Sequence, residues 1–230
     1  MPLQTKIMKY IYSTLLLFAL SIHSQAQFIK SVNVTAGEVF SGETITNGAP
    51  AYIGYKNRVL IGFIATVEPT FFSFGTKKQF DFTTGFSFAQ KGAYNSSPIY
   101  SYNEFGQILG TGEEAYPVRI NYISVSPTVK FNFAQLFFVK AGPRMDVFTN
   151  FNESSLFGVD IRTNKDFNAA TLGITYGAGI CAGKKRAKFI CEVIGQNDFT
   201  QSSYNKATSQ AYKNYAVLLN FGADITLGKM

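Results

Sequence analysis

The chain has 230 residues, of which 46% are hydrophobic, and its 23 phenylalanines and 13 tyrosines give it a heavy aromatic content. Its formal charge of +7 is mild and dispersed, and the compact basic run Lys184-Lys185-Arg186 suits a solvated turn better than a nucleic-acid surface. Composition and charge therefore exclude nucleic acid as a partner.

The first 26 residues have the three parts of a signal peptide. Lys6 and Lys9 supply a positively charged start. Ile11–Ile22 is an apolar core that is too short to span a bilayer as a helix. Ser24-Gln25-Ala26 then offers small residues for cleavage. We expect a cleaved Sec-type signal peptide over residues 1–26 and a mature chain that begins at Gln27.

Residues 27–230 are predicted to form one domain. Their number suits a single domain, and they contain no second apolar run that is long enough for a membrane-spanning helix. Met8 is an alternative start, which would make residues 1–7 an upstream extension. No cysteine follows the apolar core, so a lipoprotein anchor is not expected.

The rest of the chain alternates apolar and polar residues with a period of two, which predicts β-strands. The clearest case is the last segment, Tyr215–Leu227, whose thirteen residues suit a tilted membrane crossing better than a soluble strand. Eight strands are predicted, in chain order Ser31–Val39, Arg58–Phe72, Gln79–Gly92, Asn121–Phe133, Leu136–Phe148, Ala169–Ala182, Lys188–Gln196 and Tyr215–Leu227.

The segments between these strands alternate strictly between long and short. The long ones are Ser41–Asn57, Ala93–Val118, Thr149–Asn168 and Asn197–Asn214, and the short ones are Ser73–Lys78, Ala134–Gln135 and Gly183–Ala187. This alternation is typical of membrane barrels, which have long external loops and tight periplasmic turns. The sequence therefore predicts an all-β fold, an eight-stranded antiparallel up-and-down transmembrane β-barrel in the outer membrane.

The two faces of the predicted strands differ in polarity. The face assigned to the interior carries Glu68, Asp81, Lys91, Lys130, Lys140, Arg144, Asp146, Glu192 and Asp224, whereas the other face is apolar and aromatic. A soluble carrier barrel would enclose its apolar face, so this pattern favours a membrane barrel. We interpret the inward charges as a packed, ion-paired polar network, in preference to a proton or ion path.

Residues for enzymatic chemistry are missing from the predicted mature chain. The single histidine, His23, lies in the predicted signal peptide, so no imidazole remains for a catalytic triad or a typical metal site. The glycines occur singly within strand patterns, and Gly110-Thr111-Gly112 suits a turn better than a phosphate loop. We predict that the protein is not an enzyme and that it has no cofactor and no metal.

Cys181 and Cys191 flank a predicted short turn, which raises the possibility of a hairpin disulfide in an oxidising compartment. Strand parity places Cys181 inward and Cys191 outward, and a two-residue turn would pair Cys181 with Ile190. Only a bulge or a three-residue turn would align the two sulfurs. Two unpaired cysteines are the simpler interpretation.

Three short motifs, in this order, resemble the PorT-like outer-membrane β-barrel family. They are Gln79–Ala93 (QFDFTTGFSFAQKGA), Asn121-Tyr122-Ile123 followed by Ser126-Pro127, and Val139–Pro143 (VKAGP). The resemblance extends from about Val32 to Leu227. It implies an eight-stranded barrel in a diderm bacterium that contacts outer-membrane lipid and is inserted by the barrel-assembly machinery. Some members of that family are accessory to type IX protein secretion.

The sequence departs from the pattern of that family at the end of the chain. Many such barrels end on an aromatic residue that the assembly machinery recognises, whereas this sequence ends with Leu227-Gly228-Lys229-Met230 and its nearest aromatic residue is Phe221.

These observations favour two functions. The first is a small structural or interaction barrel that makes contacts through its long external segments, of which Ala93–Val118 holds four tyrosines. The second is an accessory subunit of an envelope or secretion complex. A narrow transport barrel and a soluble secreted binder are less favoured.

Overall fold

The protein was analysed as a computed structural model that describes residues 29–47, 58–76, 79–133, 136–153, 164–183, 186–205 and 210–227. It is built almost entirely of antiparallel strands. They are β1 (Ser31–Asn47), β2 (Arg58–Phe74), β3 (Phe80–Tyr102), β4 (Ile108–Phe133), β5 (Phe137–Glu153), β6 (Ala170–Ala182), β7 (Ala187–Asp198), β8 (Ser203–Asn205) and β9 (Gln210–Thr226). A 3₁₀ turn, Asn164–Asp166, precedes β6. Within the described ranges, no helix has the length and apolarity that a membrane crossing requires.

Eight of these strands close into a barrel, as the sequence predicts. Each strand pairs with the next in chain order, except that β7 pairs with β9, and β9 pairs with β1 to complete the circle. The remaining strand, β8, is three residues long and pairs with β9 at one end of the barrel, and its Ser203 also forms an isolated bridge with Phe167. Closure leaves the barrel strands without free edges within the paired region, which removes the usual route to edge-to-edge aggregation.

The stagger of the strands fixes the size of the barrel. A path of paired residues that starts at Ser31 and crosses every strand returns to β1 at Ser41, ten residues further along. With a rise of about 3.3 Å per residue and strands about 4.8 Å apart, this stagger gives a tilt of about 40° and a backbone radius of about 8 Å. An interior of that width is filled by side chains and does not form an open channel.

Alternation along each strand determines what faces in and what faces out. On β5, Phe137, Val139, Ala141, Pro143, Met145 and Val147 point outward, whereas Phe138, Lys140, Arg144 and Asp146 are buried inside. The outward set spans ten residue steps, or about 25 Å along the barrel axis at this tilt. We refer to the end with the tight connections β2–β3, β4–β5 and β6–β7 as the lower end, and to the opposite end as the upper end.

The structure corrects the prediction that Ala93–Val118 is a long loop. Strands β3 and β4 continue through most of it, and their ladder extends to the pair Tyr102↔Ile108, so the connection between them is a turn of five residues. The sequence predicts a loop here because the segment is rich in Ser, Asn, Gly and Pro. Backbone hydrogen bonds between two adjacent extended strands do not depend on such side-chain preferences, and they prolong the hairpin.

Parts of the other predicted long connections are also strand. β1 continues to Asn47 and β9 begins at Gln210. Residues 48–57, 154–163 and 206–209 of those connections lie outside the described residues. The predicted signal peptide, residues 1–26, lies outside them as well and stays a prediction.

Candidate functional site: the barrel interior, its outer surface and the long hairpin

An ion-paired network occupies the upper part of the barrel interior. Lys91 Nζ lies 2.6 Å from Asp146 Oδ2, and Arg144 Nε lies 3.0 Å from Asp146 Oδ1. Arg144 also forms an ion pair with Asp198 through Nη2. All four side chains are almost completely buried. These ion pairs join two cations to two carboxylates, and pairing of this kind is what allows charges to remain in a closed interior.

Two neutral side chains extend this upper network across the barrel. Asp198 Oδ2 accepts a hydrogen bond of 3.0 Å from the backbone N–H of Asn214, and the Asn214 side chain donates to the hydroxyl of Tyr122 at 3.0 Å. Lys91 Nζ lies 5.4 Å from the centre of the Tyr122 ring, within the range of a cation–π contact. Side chains from β3, β4, β5, β7 and β9 are thereby tied together.

A second network lies lower in the barrel and is centred on Lys140. Its Nζ donates to Glu68 Oε2 and approaches Glu192 Oε2, both at 2.8 Å. Asn33 donates to Glu68 at 3.3 Å, and Asn220 donates to Glu192 at 3.1 Å. One lysine thus holds together two carboxylates that come from opposite halves of the chain.

An apolar layer fills the interior between these networks. It consists of Val39, Ile64, Ala89, Ile194, Ala216 and Leu218. On β7, Ile194 lies between Glu192 of the lower network and Asp198 of the upper one. A cavity of about 20 Å³ lies beside the layer, which is room for about one water molecule. The interior at this level is therefore a packed core.

The lower end of the barrel contains a polar vestibule. This cavity of about 390 Å³ is lined by Ser31, Thr70, Asp81, Lys130, Asn132, Leu136, Phe137, Cys181, Gly183, Lys188 and Asp224. Asp81 accepts hydrogen bonds from Ser73 and, at 2.6 Å, from Asn132. The Lys130 amine lies 4.2 Å from the centre of the Phe138 ring.

The structure therefore separates the sequence-predicted polar residues into three groups. Lys140, Glu68 and Glu192 form the lower network. Lys91, Arg144 and Asp146 belong to the upper one, and Asp81, Lys130 and Asp224 line the vestibule. Asp198 and Asn214 were missed because the sequence assigns both to the connection that follows Gln196. Continued alternation through Glu192, Gln196 and Asp198 is the signal that points to Asp198.

The two cysteines are free and lie on opposite faces of the hairpin. Cys181 pairs with Ile190, and Ile180 pairs with Cys191, which is the register expected for a two-residue turn. Among the described residues, no three His, Cys, Asp or Glu side chains are grouped so that they could hold a metal ion.

An aromatic cluster lies above the upper network, at the mouth of the barrel. Phe167, just after the 3₁₀ turn, is 7% exposed and stacks on Phe148 with ring centres 4.9 Å apart. Its ring also contacts Phe151 at 4.9 Å. The backbone N–H of Asn168 donates to Ser202 O, which ties this connection to the one before β8. The described end of the connection from β5 to β6, residues 164–169, is thereby anchored onto the mouth.

The outer surface of the barrel is an apolar belt. Exposed Val, Ile, Leu, Phe and Met side chains cover it on all eight strands. At its lower end, a row of phenylalanine rings with centres 4.9–6.1 Å apart crosses four strands through Phe74, Phe80, Phe131, Phe133 and Phe137. Aromatic girdles of this kind mark the boundaries of membrane barrels.

Polar side chains bound the belt at its upper end. Gln90 donates to Asn121 at 3.3 Å, and Asn121 donates to Asn150 at 2.6 Å, so a ladder of amides crosses three strands. Arg119 and Lys213 follow on the same outward face and are partly exposed. Basic side chains at this level suit the phosphates of a lipid surface.

The hairpin of β3 and β4 extends far above this rim. Eight residue pairs follow the pair Tyr94↔Pro117, which at about 3.3 Å each amounts to about 26 Å of ribbon. In the described residues, β2 and β5 end their pairing with it at Arg58↔Tyr94 and Val118↔Glu153.

The tip of the hairpin is held by Asn103. The Asn103 side chain accepts hydrogen bonds from the backbone N–H groups of Phe105, at 3.0 Å, and Gln107, at 2.8 Å, and donates to the Gln107 side chain at 2.9 Å. Gly106 occupies the left-handed region with φ +75°, a conformation that glycine adopts without strain. The ordered turn presents three apolar side chains to solvent, and Phe105 is 79%, Leu109 69% and Ile108 57% exposed.

The chain is similar to several solved structures at low sequence identity. No family model matches the chain. No curated protein matches it either. Among solved structures, the chain is similar to Ail, the attachment invasion locus protein of Yersinia pestis, crystallised with the heparin analogue sucrose octasulfate (14% identity, 86% of this chain, 99% of that chain, TM-score 0.43).

Two further solved structures are similar. They are Neisserial surface protein A (10% identity, 85% of this chain, 96% of that chain, TM-score 0.40) and OprG from Pseudomonas aeruginosa (10% identity, 87% of this chain, 97% of that chain, TM-score 0.41). The resemblance to the PorT-like family stays a prediction.

Proposed function

We propose that this chain is a non-enzymatic β-barrel of the outer membrane that makes contacts outside the membrane through the tip of the β3–β4 hairpin. The observation that carries the membrane location is the inverted polarity of the barrel. Charged groups are buried and paired inside, whereas the outer surface is an apolar belt about 25 Å high that ends in aromatic rings below and polar side chains above. A barrel of this polarity is stable only where hydrocarbon surrounds it.

The hairpin supports an external interaction role. At its tip, Asn103 forms hydrogen bonds to the backbone of the turn, and Phe105, Ile108 and Leu109 are exposed well away from the barrel. Exposed apolar side chains on a hydrogen-bonded turn are suited to anchor a partner, because the backbone that carries them is already ordered before binding.

A role as an accessory subunit of an envelope or secretion complex is the second candidate. Its support is the resemblance of Gln79–Ala93 and the later motifs to the PorT-like family, some of whose members assist type IX secretion. Insertion by the barrel-assembly machinery and export by the predicted signal peptide belong to the same proposal.

The membrane location is tested by gel migration of the membrane-fraction protein with and without boiling. A folded barrel resists the detergent and migrates differently from the boiled chain. Recovery of the protein in the soluble fraction, with a single band in both lanes, would contradict the membrane proposal.

The hairpin role is tested by photo-crosslinking in intact cells. A photoreactive amino acid at position 105 should give a discrete adduct, whereas the same residue at position 165, an exposed site in the 3₁₀ turn, serves as the matched control. Equal labelling at both positions would show that the tip is merely solvated.

A further inference from the structure

Glu38 is a charged side chain on the outside of the barrel. It is exposed on β1, and its direct cross-strand neighbours are Phe63 on β2 and Leu219 on β9. Two residues away on the same face of β1 lie Ala36 and Phe40. All of the side chains that adjoin Glu38 on this face are therefore apolar.

Glu38 lies well inside the belt. It is seven residues beyond Ser31 on β1, which is about 17 Å above the lower end of a belt about 25 Å high. On the neighbouring strand, the exposed side chains of Ile61 and Val59 carry the apolar surface still further upward. In the described parts of the chain, the outward side chains between the lower phenylalanine row and the upper amide ladder include no other Asp, Glu, Lys or Arg.

A lone carboxyl group at this depth is costly in lipid. Hydrocarbon provides neither water nor a counter-ion, and ionisable residues inside membranes are usually paired and functional. The interior charges of this barrel follow that rule, because each network contains groups of both signs. Among the described residues Glu38 is the exception, and a cation of a neighbouring protein would supply the missing counter-charge.

The surface beside Glu38 permits the close approach of another protein. Ala36 and Ala65 face each other across β1 and β2 and are both exposed. Because their side chains are small, a neighbouring backbone could come close to the strands there, as small residues allow at contacts inside membranes.

We propose that the β9–β1–β2 face is a docking surface, within the membrane, for a different membrane protein that presents a lysine or arginine side chain at the depth of Glu38. The inference rests on the membrane location proposed above and names the kind of partner that an accessory barrel would have. Charge complementarity selects the occupant, because a cation at the same depth stabilises the ionised carboxylate in hydrocarbon.

A second copy of this chain is a poorer occupant. Two copies in the same membrane share one orientation, so residues of equal depth meet. The described outward residues at that depth supply apolar groups or a second Glu38, and neither of these neutralises a carboxylate.

The test uses photo-crosslinking in membranes of cells that make the full chain. A photoreactive amino acid replaces Ala65 on the proposed docking face, and Ala178, an exposed alanine of the belt on β6, is the matched control. We expect an adduct at position 65 that is at least tenfold stronger than at position 178. Its partner peptide should contain a lysine or arginine within a membrane segment.

Substitutions at Glu38 then test the charge pairing. Glu38→Leu should reduce the adduct at least tenfold, whereas Glu38→Asp should retain most of it. Glu38→Lys, combined with exchange of the partner's basic residue for Glu, should restore it. Gel migration with and without boiling shows that each variant is still a folded barrel, so a failure of the membrane proposal is distinguished from a failure of this one.

Several outcomes would overturn the inference. They are equal adducts at the two positions, an adduct with a second copy of the chain, a partner peptide without a basic residue, and an adduct that Glu38→Leu leaves unchanged.

Discussion

Replacing Lys140 with methionine removes the one cation that joins Glu68 to Glu192 and keeps nearly the same volume. Both ion pairs measure 2.8 Å, and all three side chains are about 95% buried. Each carboxylate retains an amide donor, Asn33 or Asn220, but loses the cation that contacts it. Removing one partner from a buried ion pair costs about 3–5 kcal/mol, because the remaining charge is left uncompensated. We therefore expect Lys140→Met to lower the free energy of unfolding by about that amount.

Urea unfolding of the barrel in lipid vesicles measures this change. The chain has no tryptophan, so the folded fraction is read from unboiled gels or circular dichroism. At a urea dependence of about 2 kcal/mol per M, the midpoint should fall by about 1.5–2.5 M.

Two further variants make the Lys140 experiment decisive. Replacing Lys140, Glu68 and Glu192 together with Met, Gln and Gln removes every charge of the lower network, and most of the lost stability should return, because buried ion pairs contribute little net energy over neutral groups. The exposed Lys30 is the control, and Lys30→Met should change the stability by about 0.5 kcal/mol or less. The reasoning is refuted if Lys140→Met keeps the wild-type midpoint, or if the triple variant is as unstable as the single one.

Three other substitutions test the packing of the barrel. Leu218→Ala enlarges the small cavity beside the apolar layer and should cost about 2–5 kcal/mol in the same urea assay, and an unchanged midpoint would contradict the layer's role as a core. Phe167→Ala removes the ring that stacks on Phe148, so a protease should cut the β5–β6 connection several-fold faster while the barrel stays folded. Equal cleavage rates in the variant and the wild type would contradict the proposed anchoring role of Phe167. Gly92 has φ +139°, and a Cβ at this position would meet the carbonyl oxygen of Val118 on the facing strand, so Gly92→Ala should reduce the folded fraction. Gly110→Ala is the control and should leave the folded fraction unchanged, because a Cβ there would meet only the hydroxyl of Ser101. Equal effects of the two substitutions would contradict this reasoning.

The interior networks show what the alternation of side chains along a strand can predict and what it cannot. The sequence assigns Glu68, Lys140 and Glu192 to the inward face because side chains alternate strictly along a strand. It does not show that the three meet. Their contact depends on the stagger of the strands, which places residues that lie 72 positions apart in the chain at the same height.

The long hairpin and Asp198 show where the sequence pattern misleads. Ser, Asn, Gly and Pro predict loops from their local preferences. A strand that is already paired can continue through such residues, because the backbone ladder supplies the hydrogen bonds.

The fold class, the count of barrel strands and the polarity of the two faces follow from local periodicity and from the spacing of the strands, so all three could be predicted from the amino-acid sequence. Three features required the folded barrel: which charges pair, where the apolar layer closes the interior, and that Glu38 is the lone charged residue of the described outer belt, about two-thirds of the way up. Those features depend on barrel closure with a stagger of ten residues, and stagger arises from pairing between distant strands. Period-two alternation fixes the face of a residue, whereas the register of the closed barrel fixes its height and its neighbours.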